Sequence, residues 1–177
     1  MNDDRFFIYE YIGSPEIKKS VANSLPGIQI KSPEILKQWI DCTQQKPNHW
    51  GAIEATFIVD LTGYLCLADR HSEHIACSGG KGVLSAGEIF FNPNNKEYEV
   101  IEISNQSTGF CPQKKSWYWV AKALDRIPLS HPGEFTSKFI FRRCQKCNQL
   151  NLIKGNLFIC EVCQTKLPKS WNCSSNK

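Results

Sequence analysis

No stretch of this 177-residue chain approaches the roughly 20 consecutive apolar residues that cross a bilayer as a helix. The opening Met1-Asn2-Asp3-Asp4 is acidic and lacks the basic start and apolar run of a secretion signal, so a soluble, cytoplasmic protein is expected. Internal repeats and low-complexity tracts are missing, apart from two alike cysteine pairs. Acidic residues are scarce at one end: from Lys138 onward, Glu161 stands alone against eight Lys or Arg. That segment carries +7 and residues 1–137 carry −3, within a net charge of +4. A basic end on a mildly acidic body points to an anionic partner for that end, nucleic acid above all. The composition, 41% hydrophobic and 21% charged, is that of a globular protein.

Cysteine is plentiful, at nine residues. With no secretion signal, and with four of the nine in C-x-x-C pairs, metal binding accounts for them better than a disulfide framework. Cys42, Cys66, Cys77, Cys111 and Cys173 are scattered, and most read as buried thiols that behave as small apolar residues.

The residue pattern predicts a strand over Arg5–Ile12, then short pieces broken by Pro15, Pro26 and Gly27. Ser32-Pro33-Glu34 is a helix start, followed by the apolar face Ile35, Leu36, Trp39 and Ile40. Glu54–Asp60 and Tyr64–Asp69 read as a hairpin around Leu61-Thr62-Gly63. A polar loop (Arg70–His74) and a small-residue stretch (Ala76–Gly80) come next. Strands over Val83–Phe91 and Tyr98–Ser104 flank a turn at Asn92–Asn95. Ser116 then caps a second helix with Trp117, Val120, Ala121 and Leu124 on one face. The order gives an α+β fold: an antiparallel sheet flanked by two helices over residues 1–137, with a small C-terminal unit over 138–177.

In that unit Phe139–Phe141 leads into Cys144-Gln145-Lys146-Cys147. Leu150–Ile153 and Leu157–Ile159 are predicted to pair around Lys154-Gly155-Asn156 before Cys160-Glu161-Val162-Cys163. Two residues between paired cysteines let one turn present both sulfurs to one ion, and four thiolates fill a tetrahedral shell. Residues 138–172 resemble the zinc-ribbon group. One structural Zn2+ per chain, on Cys144, Cys147, Cys160 and Cys163, is expected. A redox role for either pair is disfavoured, because neither opens a helix beside a βαβ unit. Arg142, Arg143, Lys146 and Lys154 are the candidate contacts for nucleic acid, and a protein-docking role is the alternative.

Three polar clusters follow one another in the larger part: Asp69–His74, Ala86-Gly87-Glu88, and Ser104–Gly109. Each lies at an end of, or within, a predicted strand, so a sheet could gather them. A histidine near neutral pKa, a carboxylate and hydroxyls are the ingredients of a small active site. One reading takes His71 or His74 as acid/base, Glu88 as partner and Ser107 as the attacking or binding hydroxyl. Arg70, Gly79, Gly80, Asn105 and Thr108 would then hold a small polar ligand. A second is a metal site on His71, His74, Cys77 and Glu88. The third is that these groups cap strands and satisfy one another. Cys111 is either a nucleophile beside a central histidine or, more simply, a buried thiol.

The run from Asp60 to Cys111 resembles the Ser-His-Glu domain of bacterial toxins and conflict-system effectors. The resemblance is carried by Gly63, by His71-Ser72 or His74, by Ala86-Gly87-Glu88, and by Ser104-Asn105-Gln106-Ser107 with Gly109. Thr108 interrupts the last step, and Phe110-Cys111 stands where His-Tyr is expected. The resemblance implies a bacterial effector or enzyme-like domain and marks a site without naming its substrate. The alternative expectation is a non-enzymatic adaptor that binds nucleic acid or a protein through its basic end.

Overall fold

The computed structural model describes residues 7–94 and 97–175. Its centre is a five-stranded antiparallel sheet in the order β1-β3-β2-β4-β5, from β1 (Ile28–Ile30), β2 (Ile53–Val59), β3 (Leu65–Asp69), β4 (Ser85–Asn94) and β5 (Glu97–Ile103). The β2–β3 turn forms because Asp60 Oδ1 accepts from the backbone N–H groups of Thr62 and Tyr64, while Gly63 takes φ +80°. Helix α1 is Pro15–Ser20, α2 Pro33–Cys42, α3 His74–Cys77 and α4 Trp117–Arg126. Among the described residues no helix is long and apolar enough to cross a membrane.

Alternation along the strands feeds two cores. Ala55, Phe57, Val59, Leu65, Leu67, Ile89 and Phe91 pack in one cluster with Leu36 of α2 and Val120, Ala123 and Leu124 of α4. Ile58, Cys66 and Ala86 project into a second cluster with Tyr9, Ile75, Cys77 and Phe110. Because both faces are covered, β2 is buried along almost its whole length, and its sequence shows no clean polar alternation. Phe57 is wholly buried, a burial that contributes about 2–3 kcal/mol.

Several elements differ from the sequence reading. Within Arg5–Ile12, Arg5 and Phe6 lie outside the described residues. The rest is not a strand: only Tyr9 pairs, through an isolated bridge to Val83. α1 occupies a stretch read as broken, with Ser14 accepting from Ile17 N–H and Pro15 in its first turn. α3 opens inside the polar loop, and Gly79 and Gly80, both at positive φ, close it. β4 runs on through Asn92, Pro93 and Asn94, where a turn was expected, and Pro93 pairs Tyr98. β2 ends its pairing with β4 at Phe91, so the N–H that proline lacks is not needed on that side. Ser116 does not cap α4 with its side chain. Its hydroxyl bonds Ser85 Oγ at 2.9 Å, inside the fold, and a 3-10 turn over Lys114–Ser116 starts the helix.

In the C-terminal segment, β6 (Phe141–Arg143) pairs with β7 (Leu150–Leu152), not Leu150–Ile153 with Leu157–Ile159. Ile159 forms a single bridge with Lys166. Three ties join this segment to the sheet region. Asn105 donates to Pro112 O and Phe139 O, at 2.8 and 2.9 Å, and accepts from Phe139 N–H at 2.7 Å. Trp171 Nε1–H donates to Cys111 O at 2.8 Å, and the Trp171 ring meets Phe7 and Tyr9 edge-on.

Candidate functional site

The four paired cysteines converge. Their sulfurs all lie within 4.8 Å of one another, with 3.5 Å from Cys144 to Cys163 and 3.6 Å from Cys147 to Cys160. The two pairs are built alike. Cys144 N–H donates to Gln149 O and Asn148 N–H to Cys144 O; Cys160 N–H donates to Thr165 O and Gln164 N–H to Cys160 O. Asn148 and Gln164 both take φ near +60°, so each turn closes through the same left-handed residue. A zinc ion with Zn–S bonds of about 2.3 Å sets its sulfurs about 3.8 Å apart, and this cluster fits that spacing. Backbone N–H groups of Cys163 and Val162 donate to Cys160 and lower its thiol pKa. Asn151 holds the second turn in place, accepting from Glu161 N–H at 2.9 Å while its amide lies 3.7 Å from Cys160 Sγ. Asn151 escaped the sequence reading because nothing in its spacing distinguishes it from a surface residue.

A second convergence centres on Gly87. A Cβ there would lie 1.9 Å from Ser104 O, so the β4–β5 edge closes onto bare backbone. On the other side, His74 Nε2 sits 2.9 Å from Gly87 O. A carbonyl only accepts, so Nε2 carries the proton and Nδ1 the lone pair. Burial lowers the His74 pKa, against the opposing effect of the Gly87 bond, and the ring stays neutral at pH 7. Glu88, the next residue, faces Thr56 across β2 and β4. Burial, then the charge of Glu54, raises its carboxyl pKa. Glu88 lines a cavity of about 170 Å³ with Phe90, Glu102, Gln106, Thr136 and Phe139. His74 and Ser107 do not line it.

The remaining predicted residues do not gather at one place. His71 is exposed and accepts from Arg70 Nε at 3.2 Å, while Arg70 Nη1 lies 3.7 Å from Glu54, in a surface chain. Gly79 and Gly80 return N–H groups to Ala76 O and Ile75 O, which spends them on ending α3. Asn105 is fully buried with its amide committed to backbone, and Thr108 is exposed. Ser104 Oγ accepts from Gln106 N–H, a local turn bond. Ser107 stands apart: its hydroxyl is buried and has no hydrogen-bond partner among the described residues.

The metal reading on His71, His74, Cys77 and Glu88 is not supported by this geometry. Among the described residues, the cysteine cluster is the one group of three or more potential ligands close enough to share an ion. Cys77 Sγ points instead toward Cys66 O, at 3.7 Å. Glu54 and Thr56, which stand beside Glu88, were not singled out from sequence; their place in the register with β4 was the available signal. Comparisons with protein-family models, curated proteins and solved structures find no match for the chain.

Proposed function

We propose that residues 138–177 form a zinc ribbon whose single Zn2+ is structural, and that residues 1–137 bind a small polar ligand beside Gly87. Four thiolates leave no coordination position for water or substrate, so the ion acts on folding and not on chemistry. The ligand reading rests on one observation: Ser107 buries a hydroxyl with no hydrogen-bond partner among the described residues, three residues beyond the Ser104 carbonyl that closes on Gly87. An unpaired buried hydroxyl costs about 1–3 kcal/mol, a cost that a ligand acceptor or donor would relieve. Neutral His74, which bonds Gly87 O, and Glu88, the residue after Gly87, are the acid/base groups this reading draws on. This is the effector or enzyme-like reading.

Ser107→Ala is expected to raise stability by about 1 kcal/mol, because it removes the unpaired hydroxyl. In a thermal-shift screen of small polar compounds, the compounds that stabilise the natural protein are expected to lose their effect in Ser107→Ala and Glu88→Gln. Compounds that stabilise both variants as well as the parent would overturn the site.

The adaptor reading has its own support. Leu157 and Val162 are 63% and 65% exposed beside the second cysteine turn, and Lys146 and Lys166 are exposed nearby in sequence. Arg142 leaves the nucleic-acid set. Its guanidinium donates to Phe141 O, Pro168 O and Lys169 O and is buried. The test of this reading is therefore the salt slope of nucleic-acid binding in a Lys146/Lys154/Lys166 triple alanine, with Arg142 left intact.

A further inference from the structure

Two thiols that the metal centre does not use meet where the C-terminal segment rests on the sheet region. Cys111 and Cys173 are buried together in a cluster with Phe141, at 0% and 2% exposure. Trp171, two residues before Cys173, is tied by its indole N–H to Cys111 O, so the two stretches of chain are fixed on each other. Cys111 itself sits at φ +50°, in the left-handed region that a residue with a Cβ occupies only when its surroundings hold it there. Its Sγ also donates to Thr108 O at 3.3 Å.

Positive charge faces this pair. Arg143 and Arg142 both act on Cys173, and Arg143 Nε is buried with no hydrogen-bond partner among the described residues. A buried guanidinium donor without an acceptor favours an anion beside it, and a thiolate at Cys173 is the anion the surroundings offer. The two thiols are accordingly unequal. The neighbouring Cys111 thiol first, then the charges of Arg143 and Arg142, lower the Cys173 pKa against the opposing effect of burial, while the Cys173 thiol and burial raise that of Cys111. A thiol of lowered pKa against one of raised pKa is the arrangement of an attacking and a resolving cysteine.

We propose that Cys111 and Cys173 form a redox-active dithiol, which a peroxide converts to an intramolecular disulfide that locks the C-terminal segment to the sheet region. The Cys173 thiolate attacks one peroxide oxygen; the S–O bond forms, the O–O bond breaks, and the departing oxygen leaves as water after protonation. The Cys111 sulfur then attacks the Cys173 sulfenic acid. The S–S bond forms, the S–O bond breaks, and the hydroxide leaves as water with the proton that Cys111 gives up. Two thiols and one peroxide thus give one disulfide and two waters. Ser174 and Ser175, which follow Cys173, are exposed, so opening of this short stretch admits a small oxidant.

The experiment uses the zinc-loaded full chain, treated with one equivalent of hydrogen peroxide, alkylated, and mapped without reduction by mass spectrometry. The expected product is a Cys111–Cys173 cross-linked peptide that dithiothreitol reverses, with one metal equivalent still bound. Closing a loop of about 60 residues should also raise the midpoint of thermal unfolding by roughly 10 °C over the reduced protein. Cys111→Ala should stop at a Cys173 sulfenic acid that dimedone captures, whereas Cys173→Ala should yield no dimedone product at Cys111. Full alkylation of both thiols after peroxide would overturn the proposal, as would metal loss while the pair stays reduced. The parent protein's peptide map decides the matter even if a variant fails to fold.

Discussion

Removing the metal from the loaded protein with a tight chelator is expected to unfold residues 141–167 while the sheet from Ile53 to Ile103 stays folded. The reason lies in how little else holds that segment. Its local cluster buries Cys144, Cys160 and Leu167, two of which belong to the cysteine cluster itself, with Ile153, Phe158 and Cys163 only partly covered. β6 and β7 pair over three residues each, far short of a free-standing sheet. Four thiolates around zinc supply an apparent binding free energy of about 10 kcal/mol or more at neutral pH, and in such small units that energy is folding energy. Without the ion, four sulfurs within 4.8 Å lose their common partner, and little beyond the contacts of Asn151 with Glu161 and Cys160 ties the two cysteine turns together. Hydrogen exchange followed by mass spectrometry reads this directly, because protection should vanish over 141–167 and persist over β2, β3 and β4. Cys160→Ser should reproduce the loss without any chelator. Protection that survives metal removal would show that the segment folds on its neighbours alone.

Replacing Gly87 with alanine carries the second large expected effect, a loss of about 4 kcal/mol or failure to accumulate in folded form. The added Cβ would lie 1.9 Å from Ser104 O, 2.8 Å from Ser104 C and 3.1 Å from Asn105 Cα. All three are backbone atoms, so no rotamer change relieves the clash. The chain behind them cannot retreat freely either. Ser104 N–H donates to Glu88 O, and Asn105 is held by three hydrogen bonds to Pro112 and Phe139. β4 and β5 would have to part at the point where His74 also takes Gly87 O. Denaturant unfolding of the purified variant measures the loss. A Gly87→Ala protein within 1 kcal/mol of the parent would show that the β4–β5 approach is looser than this geometry requires.

What the sequence made legible follows physical lines. The Ser32-Pro33-Glu34 helix start was readable because each residue has a local role, and α2 begins there. Ser14-Pro15-Glu16 has the same three residues and starts α1, yet the proline was read as a breaker because no long apolar face follows it. The β2–β3 hairpin was legible from Leu61-Thr62-Gly63, since turn chemistry is also local; the part that Asp60 plays in it was not. The partner of Leu150–Leu152 was not, because Phe141–Arg143 and Leu157–Ile159 offer similar short alternations and only the three-dimensional path chooses between them. At the candidate site, polarity singled out segments without telling inward from outward side chains. Asn105 read as a ligand contact and Arg142 as a surface cation, yet both are buried and spend their polar atoms on backbone. The cysteine spacing was the clearest signal, because two-residue loops leave little freedom in where the sulfurs go.

The carboxamide of Asn105 has a consequence for how this chain can change over time. It satisfies backbone groups on both sides of the boundary drawn near residue 137, reaching Pro112 on one side and Phe139 on the other. Lineages that exchanged or shed the cysteine-rich end would leave the atoms of that amide that face Phe139, and the Cys111 carbonyl that Trp171 answers, without partners. The two parts are therefore bound to be inherited together, as a single selectable unit and not as interchangeable cassettes.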